Sequence, residues 1–191
     1  EKVSMYEAEI KELITLIKPF DALENEHILD TLAWIDSGVE IFRIQKPDVP
    51  PKHIVSYFVL IDPEKEKLLL LDHINSGLWL PSGGHVEKDE HPNTAVEREI
   101  QEELHLPAEF LIKNPFFITQ AITVAKTAGH TDVSLWYVLK GNSQKEITYE
   151  TQEYTGYKWF DYQEVLGKDI ATLDIHMHRF VKKLLASDLI R

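Results

Sequence analysis

Residues 83–106 read GGHVEKDEHPNTAVEREIQEELHL, and this stretch decides how the rest of the chain is understood. Pro92 suits the first turn of a helix, where its missing N–H leaves no hydrogen bond unmade. From there Val96, Ile100 and Leu104 recur at every fourth position, a stripe able to face a core. Glu99, Glu102 and Glu103 stand at i, i+3 and i+4, so they share a second face with Cβ atoms about 6 Å apart. The spacing predicts an amphipathic helix over roughly 92–104 with a nearly pure carboxylate face. A solvated helix usually dilutes its acid with Lys at i+4. Here the like charges repel unless a cation compensates them. Mg²⁺ does this well, because it takes oxygen ligands and keeps waters that a phosphate can replace. Arg98 can fix a neighbouring carboxylate through charge-assisted hydrogen bonds. Gly83 and Gly84 let the backbone approach closely, so that a carbonyl at Gly84 could join the coordination shell. A merely wet acidic face is the competing reading, and three Glu taken alone do not separate the two.

The 191 residues suffice for one domain with a sizeable core and a modest extension. There is no Cys, which excludes a disulfide scaffold, Cys-based zinc sites and a thiol nucleophile. The net charge of −12 argues against a general electrostatic footprint on duplex nucleic acid. Small polyanions remain open as partners if metal ions neutralise both sides. No basic segment followed by an apolar run opens the sequence, and no stretch approaches a membrane span. A cytoplasmic location without membrane partners is the expectation.

Periodicity organises the remainder. Tyr6, Ile10, Leu13, Leu16 and Ile17 recur at helical spacing up to Pro19, and a second helix places Leu23, His27, Leu32 and Ile35 inward before Gly38. KPDVPP at 46–51 reads as a hinge, dividing a helical extension (1–50) from a main domain (51–191). Strands are expected at 53–62, 68–73, within 110–125 around Pro115, at 132–141 and at 154–161. A short helix at YQEVL and a closing helix over about 175–189 follow. Strands alternating irregularly with helices predict an α/β or α+β layered domain around a mixed sheet.

The segment resembles the Nudix box. That pattern is Gly, five residues, Glu, seven residues, Arg-Glu-apolar, one residue, Glu-Glu, one residue, Gly-apolar. Gly84, Glu90, Arg98, Glu99, Ile100, Glu102, Glu103 and Leu106 fall in register, and His105 stands where the family has Gly. The resemblance covers about 52–165. It implies an α/β/α sandwich with a mixed sheet, the box forming a loop–helix–loop. It also implies an Mg²⁺- or Mn²⁺-dependent hydrolase that cleaves nucleoside diphosphate derivatives with an attacking water. Carried over by position, Glu99, Glu102 and Glu103 are metal ligands, Arg98 orients a carboxylate and Glu90 braces the loop. Some members add a Glu from a later loop, six residues before a Trp. Glu153 precedes Trp159 by six, which makes it a candidate extra ligand or general base. His105 would have to adopt the left-handed conformation that ends the helix, at a cost on the order of 1 kcal/mol.

The second moiety of the substrate is poorly legible. Trp79, Tyr57, Phe116, Phe117 and Trp136 could stack on a base, although strand aromatics more often serve the core. His85 and His73 flank the proposed site, where they could contact phosphate. His130 and Asp132 sit at a loop-to-strand junction, where they would touch substrate or cap a turn. His176 and His178, at i and i+2, do not face one another on a helix, so no metal site is expected there. The tags of the reduced-NAD, coenzyme A and ADP-ribose subgroups are missing. The N-terminal helices fit a lid, a packing collar or a homodimer contact equally. A non-catalytic nucleotide sensor on the same fold is the alternative to an enzyme.

Overall fold

The structure, a computed structural model, describes residues 5–123 and 129–191. Two helices, α1 (Met5–Thr15) and α2 (Ala22–Asp36), precede β1 (Lys52–Asp62), β2 (Lys67–His73), β3 (Trp79–Leu80) and β4 (Ser82–His85). Then come α3 (Pro92–Leu104), β5 (Phe117–Ile122), β6 (Thr131–Lys140), β7 (Tyr154–Asp161), α4 (Tyr162–Gly167) and α5 (Met177–Ala186). Expected strand 110–125 narrows to β5, which begins two residues after Pro115; Phe110 makes only an isolated bridge to Leu139. Residues 124 and 125 of that expectation lie outside the described residues.

The sheet is mixed. β1 runs parallel to β6 from Lys52–Thr131 to Ile61–Lys140, and every other strand pair is antiparallel, with an isolated parallel bridge at Trp79–Leu173. β1 and β2 pair only at Ile61–Leu68 and Asp62–Lys67 and then diverge. β4 takes the edge of β1 so released, from Val55–His85 to Phe58–Ser82, and β3 takes the corresponding edge of β2. The split delivers Gly83, Gly84 and His85 beside the centre of the sheet.

Alternation along the strands divides the core into two layers. Ile54, Phe58 and Leu60 of β1 join Leu69, Leu71, Leu135 and Tyr137 on the face covered by α1, α2 and α3. Val59 and Ile61 join Leu68, Leu70, Trp136 and Val138 on the face covered by α4 and α5. β1 is apolar on both faces because both are covered. The result is the α/β/α sandwich expected, with Trp136 and Phe117 fully buried in it.

α2 departs from the expectation. Its buried residues are Glu24, Ile28, Thr31 and Ile35, while Leu23 is exposed. The reason is electrostatic. Glu24 is fully buried, and both of its oxygens accept from Lys183 Nζ of α5 at 3.0 Å. It also accepts from the N–H groups of Phe20 and Ile118. A satisfied buried charge therefore turns the helix away from its apolar stripe. α1 differs similarly: Ile10, Ile14 and Ile17 are buried and Leu16 is exposed.

Asp21 makes a second link between the chain's ends. It caps α2 by accepting from Glu24 N at 2.8 Å, and its two oxygens receive Arg179 Nε at 2.8 Å and Nη2 at 2.6 Å. The Arg179 hydrogen bonds hold the Asp21 carboxyl at about 2, below its ordinary 3.8. That contribution to stability is whole above the unfolded value and is lost as pH falls through about 2. Asp21→Asn keeps the cap but removes the charge. It is expected to cost about 1 kcal/mol at neutral pH, allowing for solvent screening, in a denaturant titration. The difference from the parent protein should shrink between the two pKa values.

Candidate functional site

α3 is fixed before its acids come into play. His91 caps it, accepting from Asn93 N at 3.0 Å, with Pro92 in the first turn. Ser56 of β1 donates to Pro92 O at 2.8 Å, and Tyr137 donates to Asn93 Oδ1 at 2.7 Å. Ala95, Val96, Ile100 and Leu104 are buried in the core. At the other end His105 takes φ 53°, ψ 36°, the left-handed position of the expected Gly, and donates its N–H to Gln101 O. The carboxylates then project toward β4.

Arg98 organises them. Its Nε and Nη2 donate to the two oxygens of Glu90 at 2.9 and 3.0 Å. Nη2 also donates to His85 O at 3.1 Å, and Nη1 to Glu99 Oε1 at 2.7 Å. Glu102 lies farther off, 3.7 Å from Nη1, with its side chain largely in solvent. The hydrogen bonds Arg98 donates to Glu90 and Glu99 push the guanidinium pKa up, so Arg98 is a permanent cation.

Gly84 backs Glu99 so tightly that a Cβ there would lie 2.1 Å from the Glu99 carboxyl carbon. Gly83 is pressed against β1, where a Cβ would lie 2.4 Å from Ser56 O. Burial raises the Glu99 carboxyl, and Arg98 offsets part of that rise. Glu103 is pushed up to about 7, first by burial and then by the charges of Glu153 and Glu99. Its Oε2 is buried and has no hydrogen-bond partner among the described residues.

The structure brings Glu153 beside Glu103. The loop carrying it is tied to α3 by Glu150 N donating to Glu103 O at 2.9 Å, and to the end of β2 by Ile74 N donating to Glu153 O at 2.9 Å. His73 Nε2 lies 3.8 Å from Glu153 Oε2. Arg43, Lys46, His85, Glu99 and Glu102 line a cleft of about 470 Å³ beside the box. Trp79 is elsewhere. Its ring meets Phe160 edge-on at 5.5 Å in the α4–α5 layer, away from the carboxylates. His176 and His178 take separate carbonyl partners, Gln120 O and Val165 O.

His85 and His130 have a neighbour the sequence reading passed over. Together with Asp132 they gather around His53, the second residue of β1. Burial, and then the nearby Arg43, holds His85 down at about 3, so its ring is neutral. The signals were present: His130 and Asp132 two apart at a strand start, and a His opening an apolar strand. What sequence lacked was the register that sets His53 opposite Asp132. Arg43, in the link between α2 and β1, carried no signal.

Two substitutions follow from this packing. Gly84→Ala is expected to drive the Glu99 carboxylate off its seat, costing about 1–3 kcal/mol in a chemical melt and lowering divalent-ion affinity. Unchanged stability would show that β4 yields freely. His105→Gly is expected to stabilise the fold by about 1 kcal/mol by the same melt, since only the left-handed strain is relieved.

Comparison with known proteins converges on one family. A family model described as NUDIX domain matches residues 51–184. A MutT-like protein of Streptomyces ambofaciens is 30% identical over 121 residues, which is 63% of this chain and 72% of that protein. A Nudix-family hydrolase from Clostridium perfringens superposes with a TM-score of 0.53 at 20% identity, covering 72% of this chain and 95% of its own. An Ap4A hydrolase from C. elegans gives a TM-score of 0.55 at 19% identity, over 70% and 95% of the respective chains. At such identities the two structures speak for the fold, and the family rests on the model match and the relative. The chain belongs to the Nudix hydrolase family.

Proposed function

We propose that the protein is a divalent-metal-dependent pyrophosphohydrolase, cleaving a nucleoside diphosphate derivative by attack of water on the diphosphate. The observation that carries this reading is the geometry of the acids. Glu99 is locked between Arg98 and Gly84, Glu102 is free in the cleft, and Glu103 has a buried oxygen with no partner. An oxygen-only donor set with an orphaned, crowded carboxylate suits Mg²⁺ or Mn²⁺. Glu99, Glu102 and Glu103 would hold it, with Gly84 O available beside them. When bound, such an ion neutralises the diphosphate, polarises phosphorus and lowers the pKa of a coordinated water.

The chain's own residues do the rest. Arg98 favours the ionised form of Glu99 against the effect of burial and holds it in one rotamer, and Glu90 fixes Arg98 from the other side. Arg43 and Lys46 bring positive charge to a cleft otherwise rich in acid, where phosphate oxygens would lie. Glu153, beside Glu103, is the group placed to take the proton from the attacking water. Attack breaks one bond to the bridging oxygen and leaves two phosphate-terminated products. The intact carboxylate set counts against a purely sensing role. His85 and His130, considered above as substrate contacts, are better explained by the cluster treated below. Trp79 would need a substrate reaching the opposite layer.

The test is phosphate release from nucleoside triphosphates, dinucleoside polyphosphates, nucleotide sugars and ADP-ribose, with Mg²⁺, Mn²⁺ or EDTA. Release that needs metal and falls by several orders of magnitude in both Glu102→Gln and Glu103→Gln is expected. Losses of only a few fold in both would place the metal elsewhere. Tight nucleotide binding with no turnover would select the sensor.

A further inference from the structure

Three imidazoles and a carboxylate meet at the end of the sheet, outside the carboxylate face. His53 comes from β1, His85 from β4, Asp132 from β6 and His130 from the residue preceding β6. One ligand atom from each lies within 4.8 Å of all the others. His53 is fully buried and His130 nearly so.

Proton accounting shows what is unusual. His53 Nδ1 lies 2.8 Å from Pro50 O. A carbonyl only accepts, so Nδ1 carries a hydrogen, and Nε2 of the neutral ring is a lone pair. That lone pair faces Asp132 Oδ1 at 3.1 Å and His85 Nε2 at 3.0 Å. His130 Nε2 faces the same Asp132 oxygen at 3.4 Å. His130 Nδ1 is turned instead to Thr123 Oγ1 at 3.2 Å, with Asp48 Oδ2 at 3.8 Å. Neutral His85 can donate its Nε2–H to the His53 lone pair, and His130 its Nε2–H to Asp132. The His53 lone pair still faces the Asp132 carboxylate at 3.1 Å with no hydrogen left for that contact, a place a cation would fill.

We propose that His53, His85, His130 and Asp132 form a second, structural metal site for a zinc-class transition ion. Zn–N bonds of about 2.0–2.1 Å in a tetrahedron put neighbouring ligand atoms roughly 3.3 Å apart. Three of the six edges, at 3.0, 3.1 and 3.4 Å, lie within a few tenths of that value, and all four ligand atoms lie within 4.8 Å of one another, so the set closes on an ion with a small inward shift. Imidazole-rich ligation suits Zn²⁺, Ni²⁺ or Cu²⁺ and not Mg²⁺, so the ion differs from the one the acids would take. Two of the rings already have the outer partners that fix ligand tautomers: a carbonyl on His53, a hydroxyl and a carboxylate on His130. Four protein ligands make a closed site with no position for substrate. Its effect on the reaction would come through β4. His85 O is held by Arg98, and Gly84 backs Glu99, so an ion on the His85 ring fixes the strand against which the catalytic acid rests.

The test reads metal and not turnover, so it stands apart from the hydrolase reading. The full chain is saturated with Zn²⁺, passed through gel filtration in a weak chelator and assayed for bound metal. About one zinc ion per chain is expected, retained in Glu102→Gln, with the Co²⁺ form showing intense tetrahedral visible absorption. His53→Ala and His130→Gln should each weaken Zn²⁺ binding by roughly 100-fold or more, with unchanged far-ultraviolet circular dichroism. If either variant fails to fold, the wild-type stoichiometry and Co²⁺ spectrum decide. No retained zinc and no tetrahedral spectrum in the wild type would overturn the proposal, leaving a buried His53–Asp132 ion pair. So would zinc lost in Glu102→Gln but kept in His130→Gln.

Discussion

The fork of Arg98 is the interaction on which the site depends. One guanidinium holds both oxygens of Glu90, one oxygen of Glu99 and the carbonyl of His85. Those three partners belong to the loop before α3, to α3 itself and to β4. A carboxylate of low exposure, such as Glu99, is costly unless paired. The arginine supplies the pairing, and its planar fork leaves the acid only one orientation. Gly84 completes the constraint from behind, because any side chain there would occupy the space of the carboxyl group. Backbone approach and charge pairing thus fix the same atom from opposite sides.

Glu103 is left less satisfied by comparison. Glu103 is partly buried and has an oxygen without a partner, and its nearest charges are other carboxylates. Natural structures rarely leave a buried polar atom unpaired, and the exceptions concentrate where function requires them. Elsewhere the chain treats buried charge differently. Glu24 has Lys183 and two backbone donors, and Asp21 has Arg179. A chain of net charge −12 therefore places cations on α5 to bind its N-terminal helices, while Glu103 is left without one. That contrast, within one molecule, sets Glu103 apart from the paired buried acids.

How much of this was legible depended on the range of the interaction. The helix at 92–104, its apolar stripe and the left-handed His105 were read correctly, because spacing and capping are local. The strands at 53–62 and 154–161 were likewise visible from their apolar runs. The inner face of α2 is legible at Ile35 and Leu32, which pack in the core, but not at Leu23, because nothing near Glu24 in sequence announces Lys183. His53 was missed for a related reason. It looks like the polar first turn of an apolar strand until the parallel register with β6 sets it against Asp132. Trp79 packs in the layer across the sheet from the box, the core role that strand aromatics more often serve.

β4 joins the two clusters, and its brevity makes this possible. Over four residues the strand presses Gly83 on β1, backs Glu99 with Gly84, and turns the ring of His85 toward His53 while giving its carbonyl to Arg98. A strand so short has few ladder hydrogen bonds of its own, and it occupies the gap where β1 and β2 separate. Its position is set by its pairing with β1 and by what flanks it, the arginine fork on one side and the imidazole cluster on the other. The backbone of Gly84 and His85 is the shared element. Any change that loosens the histidine cluster reaches the carboxylate face through two residues of rigid contact, with no need for a larger motion of the fold.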